Sequence, residues 1–267
     1  MKVVILCGGL GTRLSEETDV KPKPMVTIGG HPMLWHIMNL YDYYGFQDFV
    51  LALGYKGHVI KEYFLNYHAF SNDLYINLSD GSVEKKGRYP KNWKIDLIDT
   101  GLQSMTGGRL HRLEPLLRQS GTFMVTYGDG LSNINLKAVL DFHYSHKRIA
   151  TVTAVRPMAR FGCIEFDGHY VKQFREKSQI DVGWVNGGFF VFEPAIFDYL
   201  DGDSTVLEAS PLERLASDGE LVAYKHDGFW QCMDTQRDRL LLEEHWKSGH
   251  IPWQTKATMT ESLVSII

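Results

Sequence analysis

The residues that best suit chemistry form a glycine-rich segment, GGLGTR at residues 8–13, directly after the apolar run of residues 2–7. That run predicts a strand buried on both faces, and parallel sheets bind ligands just beyond the carboxyl ends of such strands. Glycines there let backbone N–H groups approach an anion. Leu14 replaces the third glycine of a dinucleotide-binding loop, and no Gly-Lys-Ser/Thr follows. The loop therefore predicts a triphosphate site, with Arg13 neutralising the departing end.

A second cationic segment, KPKPM, occupies residues 21–25. Each proline favours an extended conformation for the lysine before it, so the two lysines should point to opposite sides of a strand-like segment. The apolar Met25 and Val26 anchor the segment beyond them. We therefore predict that Lys23 faces the phosphates and that Lys21 faces solvent.

An aspartate stands at the predicted carboxyl end of another buried strand, in VTYGDG at residues 125–130. The glycines on either side of Asp129 leave room for a ligand. A carboxylate at a rigid strand end suits Mg²⁺, which takes one or two carboxylates together with water and phosphate oxygens. Asp129 is therefore a predicted metal ligand.

GGLGTRL followed by KPKPM at this distance from a first strand resembles the sugar-1-phosphate nucleotidyltransferases, and the resemblance runs from residue 1 to about residue 256. It implies an α/β, Rossmann-like and mostly parallel sheet flanked by helices, the nucleotide-diphospho-sugar transferase fold. We expect one domain over residues 1–256, with an inserted arm at 74–100 and the sugar-binding part at about 150–236. Residues 257–267 form a tail without turn or capping signals that tie it to the domain.

The resemblance also implies an activity, transfer of CMP from CTP to α-D-glucose 1-phosphate with release of pyrophosphate. The product, CDP-glucose, would feed the synthesis of dideoxysugars for bacterial surface polysaccharide. Mg²⁺ is the implied cofactor, held by Asp129 and by Asp234 from the segment WQCMDT at residues 230–235. A homo-oligomer is implied as well, with a hexamer as one assembly in this family, and the arm and the tyrosines at 41–44 are candidate contacts.

Further site residues follow from the resemblance. Glu176 is expected to hold sugar hydroxyls and Lys177 the attacking phosphate, while Gly162 and Asn186 with Gly187 would contact the sugar. Arg109 and the backbone of residues 104–108 have the donors and acceptors that cytosine needs, although Gln103 is an alternative base reader that would favour a uridylyl or thymidylyl enzyme. The predicted substrate-binding residues are Leu6, Cys7, Gly8, Gly9, Leu10, Gly11, Thr12, Ser104, Thr106, Gly107, Gly108, Arg109, Gly128, Gly162, Glu176, Asn186 and Gly187; the predicted catalytic residues are Arg13, Lys23 and Lys177.

Two other functions fit the sequence less well. A glycosyltransferase that consumes a nucleotide sugar would have a carboxylate pair on one loop, whereas Asp129 has glycine on both sides. A non-catalytic regulatory subunit would not be expected to retain the cations and carboxylates together.

Composition excludes several other classes. The 267 residues are 44% hydrophobic and carry a net charge of −4, which disfavours nucleic acid as a partner. The first apolar run is too short for a signal-peptide core, and no stretch has the length of a membrane span. Cys7, Cys163 and Cys232 are odd in number and far apart, which argues against a disulfide framework and favours the reducing cytoplasm.

Alternating strand and helix patterns must position these residues. Helices are predicted around 32–44, 58–67, 110–119, 136–147, 211–216 and 237–246. Strands are predicted at 2–7, 46–53, 122–127, 150–155 and 185–192, with a hairpin at 162–174. Thr106 is a possible helix cap, and His143 and His146 are expected on a solvated helix face.

Overall fold

A computed structural model describes residues 1–11, 14–87, 91–157, 163–175 and 183–254. Its strands are β1 (Lys2–Cys7), β2 (Thr27–Ile28), β3 (His31–Pro32), β4 (Asp48–Leu53), β5 (Asp73–Asn77), β6 (Ser82–Lys86), β7 (Lys94–Asp99), β8 (Phe123–Tyr127), β9 (Gly130–Ser132), β10 (Ala150–Val155), β11 (Cys163–Asp167), β12 (Tyr170–Arg175), β13 (Val185–Phe192), β14 (Leu221–His226) and β15 (Trp230–Cys232). Its α-helices are α1 (Ser15–Thr18), α2 (Met33–Tyr43), α3 (Gly57–Leu65), α4 (Tyr67–Phe70), α5 (Thr106–Arg112), α6 (Glu114–Leu117), α7 (Leu136–His146), α8 (Ser210–Ser217) and α9 (Gln236–Lys247). Lys23–Met25 and Pro194–Tyr199 are 3₁₀ helices.

Seven strands form the central sheet in the order β14-β10-β13-β8-β1-β4-β7. β13 runs antiparallel to both of its neighbours, and the other adjacent pairs are parallel. The predicted α/β fold with a mostly parallel sheet is therefore confirmed.

The sheet separates two apolar cores. Val3 and Ile5 of β1 pack in the core that contains α2, and Val4 packs in the core that contains Leu110 of α5. Val3, Val4 and Ile5 have no solvent exposure. Burial on both faces explains why these strands are continuous apolar runs rather than alternating ones.

Four parallel strands, β1, β4, β7 and β8, end at the same edge of the sheet. Their carboxyl ends are followed by Gly8, Gly54, Thr100 and Gly128. This edge is the place where parallel α/β sheets bind ligands.

The inserted arm is shorter than predicted. β5 and β6 form an exposed antiparallel hairpin, but β7 pairs in parallel with β4 and closes one side of the central sheet. Ile95 and Leu97 of β7 pack against the core, which fixes that strand in the sheet. The expectation that the arm extends to residue 100 is therefore wrong from residue 94 onward.

Two smaller expectations also differ from the structure. His143 is buried: its Nδ1 lies 2.8 Å from the Thr151 hydroxyl and its Nε2 lies 3.1 Å from the Glu193 carboxylate. The expectation of a solvated face is therefore wrong for this residue, because strand β10 packs against α7 there. Thr106 is the first residue of α5, and the N-cap position belongs to Met105 without a side-chain cap bond.

Candidate active site

A cavity of about 710 Å³ opens at the carboxyl edge of the sheet. That volume suits a nucleotide with a second small substrate. The predicted site residues that line it are Leu6, Cys7, Gly8, Gly9, Leu10, Gly11, Lys23, Ser104, Thr106, Arg109, Gly128, Asp129, Asn186, Gly187 and Asp234. Segments far apart in the sequence thus meet in one cavity.

Lys23 lies between the two predicted metal carboxylates. Its Nζ is 2.6 Å from Asp129 Oδ2 and 2.6 Å from Asp234 Oδ1. Burial opposes the charge of the ammonium, but the two carboxylates outweigh that effect and raise the pKa of Lys23. The three groups form one partly buried charged cluster at the wall of the cavity.

Short-range structure fixes both carboxylates. Asp129 directly precedes β9, which pairs with β15, and the Met233 N–H donates to the Asp129 carbonyl. Asp234 precedes helix α9, whose N-cap residue Thr235 forms a capping box with Asp238. The Asp238 carboxylate also accepts from the Asp234 backbone N–H at 3.1 Å. Asp234 is therefore held by the start of a well-capped helix.

The KPKPM segment adopts a 3₁₀ turn over Lys23–Met25 rather than the predicted strand-like form. The Met25 and Val26 N–H groups donate to the carbonyls of Pro22 and Lys23, and these bonds stabilise the turn. The two lysines nevertheless point to different sides of the segment. Lys23 lines the cavity, and Lys21 pairs with Glu17 at 3.4 Å outside it.

Gly128 allows this turn to reach the predicted metal carboxylates. A Cβ on Gly128 would lie 2.6 Å from Pro24 Cγ, closer than real Cβ atoms approach a neighbour. The glycine before Asp129 therefore lets the Lys23 turn pack directly against the end of β8.

The residues present fit a bound Mg²⁺. Across the described ranges no group of three or more His, Cys, Asp or Glu side chains converges, so the candidate ligands are the two carboxylates that already hold an ammonium between them. Hard oxygen ligands in this number suit Mg²⁺, which completes its shell with water and substrate phosphate.

Arg109 is buried beneath the glycine loop. Its Nη1 donates to the Leu53 and Gly101 carbonyls and to the Thr100 hydroxyl, and its Nη2 donates to the Gly8 and Leu102 carbonyls. A Cβ on Gly8 would lie 2.0 Å from the guanidinium carbon, so a side chain there would displace the guanidinium from these carbonyls. Arg109 thus joins the ends of β1, β4 and β7, a role that the sequence did not predict, while its donation to cytosine stays a prediction.

Gly107 and Gly108 lie beside the cavity rather than among the residues that line it. Both are buried against the loop before α8, and a Cβ on Gly108 would lie 2.1 Å from the Asp203 carbonyl oxygen. The Gly108 N–H also donates to the Thr205 carbonyl. These glycines allow helix α5 to pack closely on that loop.

Five of the predicted site residues lie outside the described residues, namely Thr12, Arg13, Gly162, Glu176 and Lys177. Their roles stay predictions.

The cavity residues that were not predicted include Tyr127, Glu208 and Trp230. The Trp230 indole N–H donates to the Gly187 carbonyl at 2.7 Å, which ties the segment before Asp234 to the predicted sugar side. Tyr127 and Trp230 belong to the two motifs that contain the predicted metal aspartates, so their places in those motifs could have pointed to them. Glu208 is in an irregular loop with no local pattern that singles it out.

Neither cysteine of the cavity suits nucleophilic catalysis. Burial, with the nearby Asp129 charge, raises the pKa of the Cys7 thiol. Burial, with the Asp234 carboxylate, raises the pKa of Cys232 to about 12. Both thiols are therefore protonated at neutral pH, whereas a nucleophile would need the thiolate.

The sequence profile of the Nucleotidyl transferase family matches residues 2–235. The chain belongs to the nucleotidyl transferase family. It is 49% identical over 255 residues to "Glucose-1-phosphate cytidylyltransferase" of Salmonella typhi, covering 96% of this chain and 99% of that one. It is 46% identical to "Probable glucose-1-phosphate cytidylyltransferase" of Bacillus subtilis, covering 95% and 99% of the two chains.

The crystal structure of HddC from Yersinia pseudotuberculosis superposes with a TM-score of 0.68 at 24% identity, covering 92% of this chain and 99% of that one. This likeness shows that a solved protein shares the fold. No helix within the described ranges has the length and apolar character needed to cross a membrane.

Proposed function

We propose that this nucleotidyl transferase transfers CMP from CTP to α-D-glucose 1-phosphate, giving CDP-glucose and pyrophosphate. The observation that carries the proposal is the meeting of the glycine loop, Lys23, Asp129 and Asp234 in one cavity at the carboxyl edge of the sheet. The choice of substrates is supported by the two relatives at 46–49% identity, which match this chain over nearly its whole length.

The reaction is a displacement at the α-phosphorus of CTP. A phosphate oxygen of glucose 1-phosphate forms the new P–O bond, and the bond from the α-phosphorus to the bridging oxygen of the pyrophosphate breaks. The bond electrons leave with pyrophosphate. Such a transfer needs in-line positioning and charge neutralisation, and no covalent enzyme intermediate.

Different described residues would position the substrates and neutralise their charge. Backbone N–H groups of residues 8–11 would face the triphosphate, and Lys23 would neutralise the nucleotide phosphates after it leaves the carboxylates. Asp129 and Asp234 would hold Mg²⁺, which when bound stabilises negative charge on the phosphate oxygens. Asn186 and Gly187, at the start of β13, would contact glucose.

Residues outside the described ranges complete the proposal. Arg13 would stabilise the departing pyrophosphate, with Thr12 beside it in the loop. Lys177 would bind the attacking phosphate, while Glu176 and Gly162 would bind sugar hydroxyls. Arg109 is the proposed reader of cytosine, and Gln103, which also lines the cavity, is the alternative.

We further propose that the chain forms a homo-oligomer through its hairpins. Every residue of β5 and β6 is exposed, including Leu74, Ile76 and Val83. The β11–β12 hairpin exposes Phe166 and Phe174. Apolar side chains on isolated two-stranded hairpins favour burial against another chain, and a second copy of this protein is the proposed partner. A monomeric mass in sedimentation equilibrium would contradict this.

The test of the reaction is pyrophosphate release with glucose 1-phosphate and, separately, CTP, UTP, dTTP, ATP and GTP. CTP should give the highest kcat/KM, and omission of Mg²⁺ should abolish release. Preference for UTP or dTTP would retain the reaction class and overturn the choice of base.

A further inference from the structure

Glu208 occupies a position between the two predicted substrate regions of the cavity. Its Oε2 accepts from the Thr106 hydroxyl at 2.7 Å, and its Oε1 accepts from the Tyr127 hydroxyl. Thr106 begins helix α5 on the nucleotide side, and Tyr127 ends strand β8. One carboxylate therefore holds two elements that are separate in the fold.

On the predicted sugar side, Tyr127 is hydrogen-bonded in turn to Asn186. The Asn186 Nδ2 donates to the Tyr127 hydroxyl at 3.4 Å, and its Oδ1 accepts from the Gly188 N–H at 2.8 Å. These two bonds fix which end of the amide is the donor. Because the Tyr127 hydroxyl donates to Glu208, it presents its lone pairs to Asn186, so the carboxylate orients the acceptor to which the Asn186 amide donates.

On the nucleotide side the bonds fix the start of α5. The Thr106 hydroxyl donates to Glu208 and accepts from the Leu207 N–H at 2.9 Å. This pair of bonds fixes the threonine rotamer and ties α5 to the loop that contains Glu208. A carboxylate beside the first turn of α5 also interacts favourably with the helix dipole.

We propose that Glu208 is a positioning residue that orients the nucleotide side and the sugar side of the site together. It acts through Thr106 toward the nucleotide and through Tyr127 and Asn186 toward the sugar. The inference rests on the proposed function, since it assigns those two sides to CTP and to glucose 1-phosphate.

The test measures KM for both substrates in Glu208→Ala, Glu208→Gln and Tyr127→Phe. Loss of a hydrogen bond to a charged group corresponds to a change of about tenfold. Glu208→Ala should raise both KM values by about tenfold, since both links are lost. Glu208→Gln keeps one acceptor oxygen and should restore part of the loss. Tyr127→Phe should raise only the KM for glucose 1-phosphate, because the link to Thr106 stays.

The double variant Glu208→Ala/Tyr127→Phe adds a test of coupling. Its KM for glucose 1-phosphate should equal that of Glu208→Ala alone, because both changes break the same link. Glu213→Ala, a change of an exposed glutamate in α8, is the matched control and should leave both KM values unchanged.

Two results would overturn the inference: Glu208→Ala with unchanged KM values and only a lower melting temperature, or additive effects in the double variant. Pyrophosphate release by the wild type with each of the five nucleotides tests the proposed function separately from the role of Glu208. If the wild type prefers another nucleotide, the proposed function fails, and the same variants are then measured with the preferred substrate pair.

Discussion

Lys23→Met should tighten the binding of a divalent metal to the free protein. The substitution keeps the apolar stem and removes the ammonium that lies 2.6 Å from both Asp129 and Asp234. The side chains of Lys23, Asp129 and Asp234 are 13%, 29% and 25% exposed, so solvent screens the cluster only in part. Two carboxylates without their ammonium attract a cation more strongly.

The size of the effect follows from the bonds that the lysine must give up. A hydrogen bond to a charged group contributes about 1.5–3 kcal/mol net. If the metal replaces one such bond, its dissociation constant should fall about ten- to a hundredfold in Lys23→Met. The KM for CTP should change in the opposite direction, because the nucleotide phosphates lose a cation.

The assay is titration of the protein with Mn²⁺ in the absence of nucleotide, followed by electron paramagnetic resonance of the free ion. Mn²⁺ is suitable because carboxylate oxygens bind it as they bind Mg²⁺. Lys21→Met is the control, because Lys21 pairs with Glu17 outside the cavity. Equal or weaker Mn²⁺ binding by Lys23→Met than by wild type would refute the reasoning.

Three further predictions concern other parts of the molecule. Asp129→Asn and Asp234→Asn should each lower Mg²⁺-dependent turnover by about a hundredfold with the fold intact, since each removes a proposed metal carboxylate; near-normal turnover of Asp129→Asn would remove that residue from the site. Burial lowers the pKa of His36 from 6.5 to about 3. The unfolded chain therefore takes up the proton first as pH falls, and the stabilisation present above pH 6.5 is lost toward pH 3. Between pH 7 and pH 5 His36 lowers the free energy of unfolding by about 2 kcal/mol. The free energy of unfolding in urea should therefore fall by about 2 kcal/mol less for His36→Gln than for wild type over this range. An equal fall in both proteins would contradict the lowered pKa of His36. Arg109→Ala should lower the free energy of unfolding by about 2–4 kcal/mol, because carbonyls at three strand ends lose their donor. An unchanged urea midpoint would contradict this prediction and show that water replaces the guanidinium.

The sequence by itself determined most of the central strands and the residue types of the proposed phosphate site. Strands such as Ala150–Val155 and Val185–Phe192 were predicted to the residue, because short runs rich in β-branched and aromatic residues favour strands. The glycine loop, Lys23 and Asp129 were recognisable because their spacing from strand ends is a local property. The resemblance to nucleotidyltransferases then supplied Asp234, which the structure places in the same cavity.

Only the tertiary structure decided which side chains meet. Residues 94–99 read as part of an arm, yet packing of Ile95 and Leu97 makes them an edge strand of the main sheet. The partners of Arg109 lie at or just after the ends of three strands. The partners of Glu208 are 81 and 102 positions away in the sequence. Contacts between residues so far apart in the sequence depend on how helices and loops pack on the sheet. The local pattern of residue types does not determine that packing.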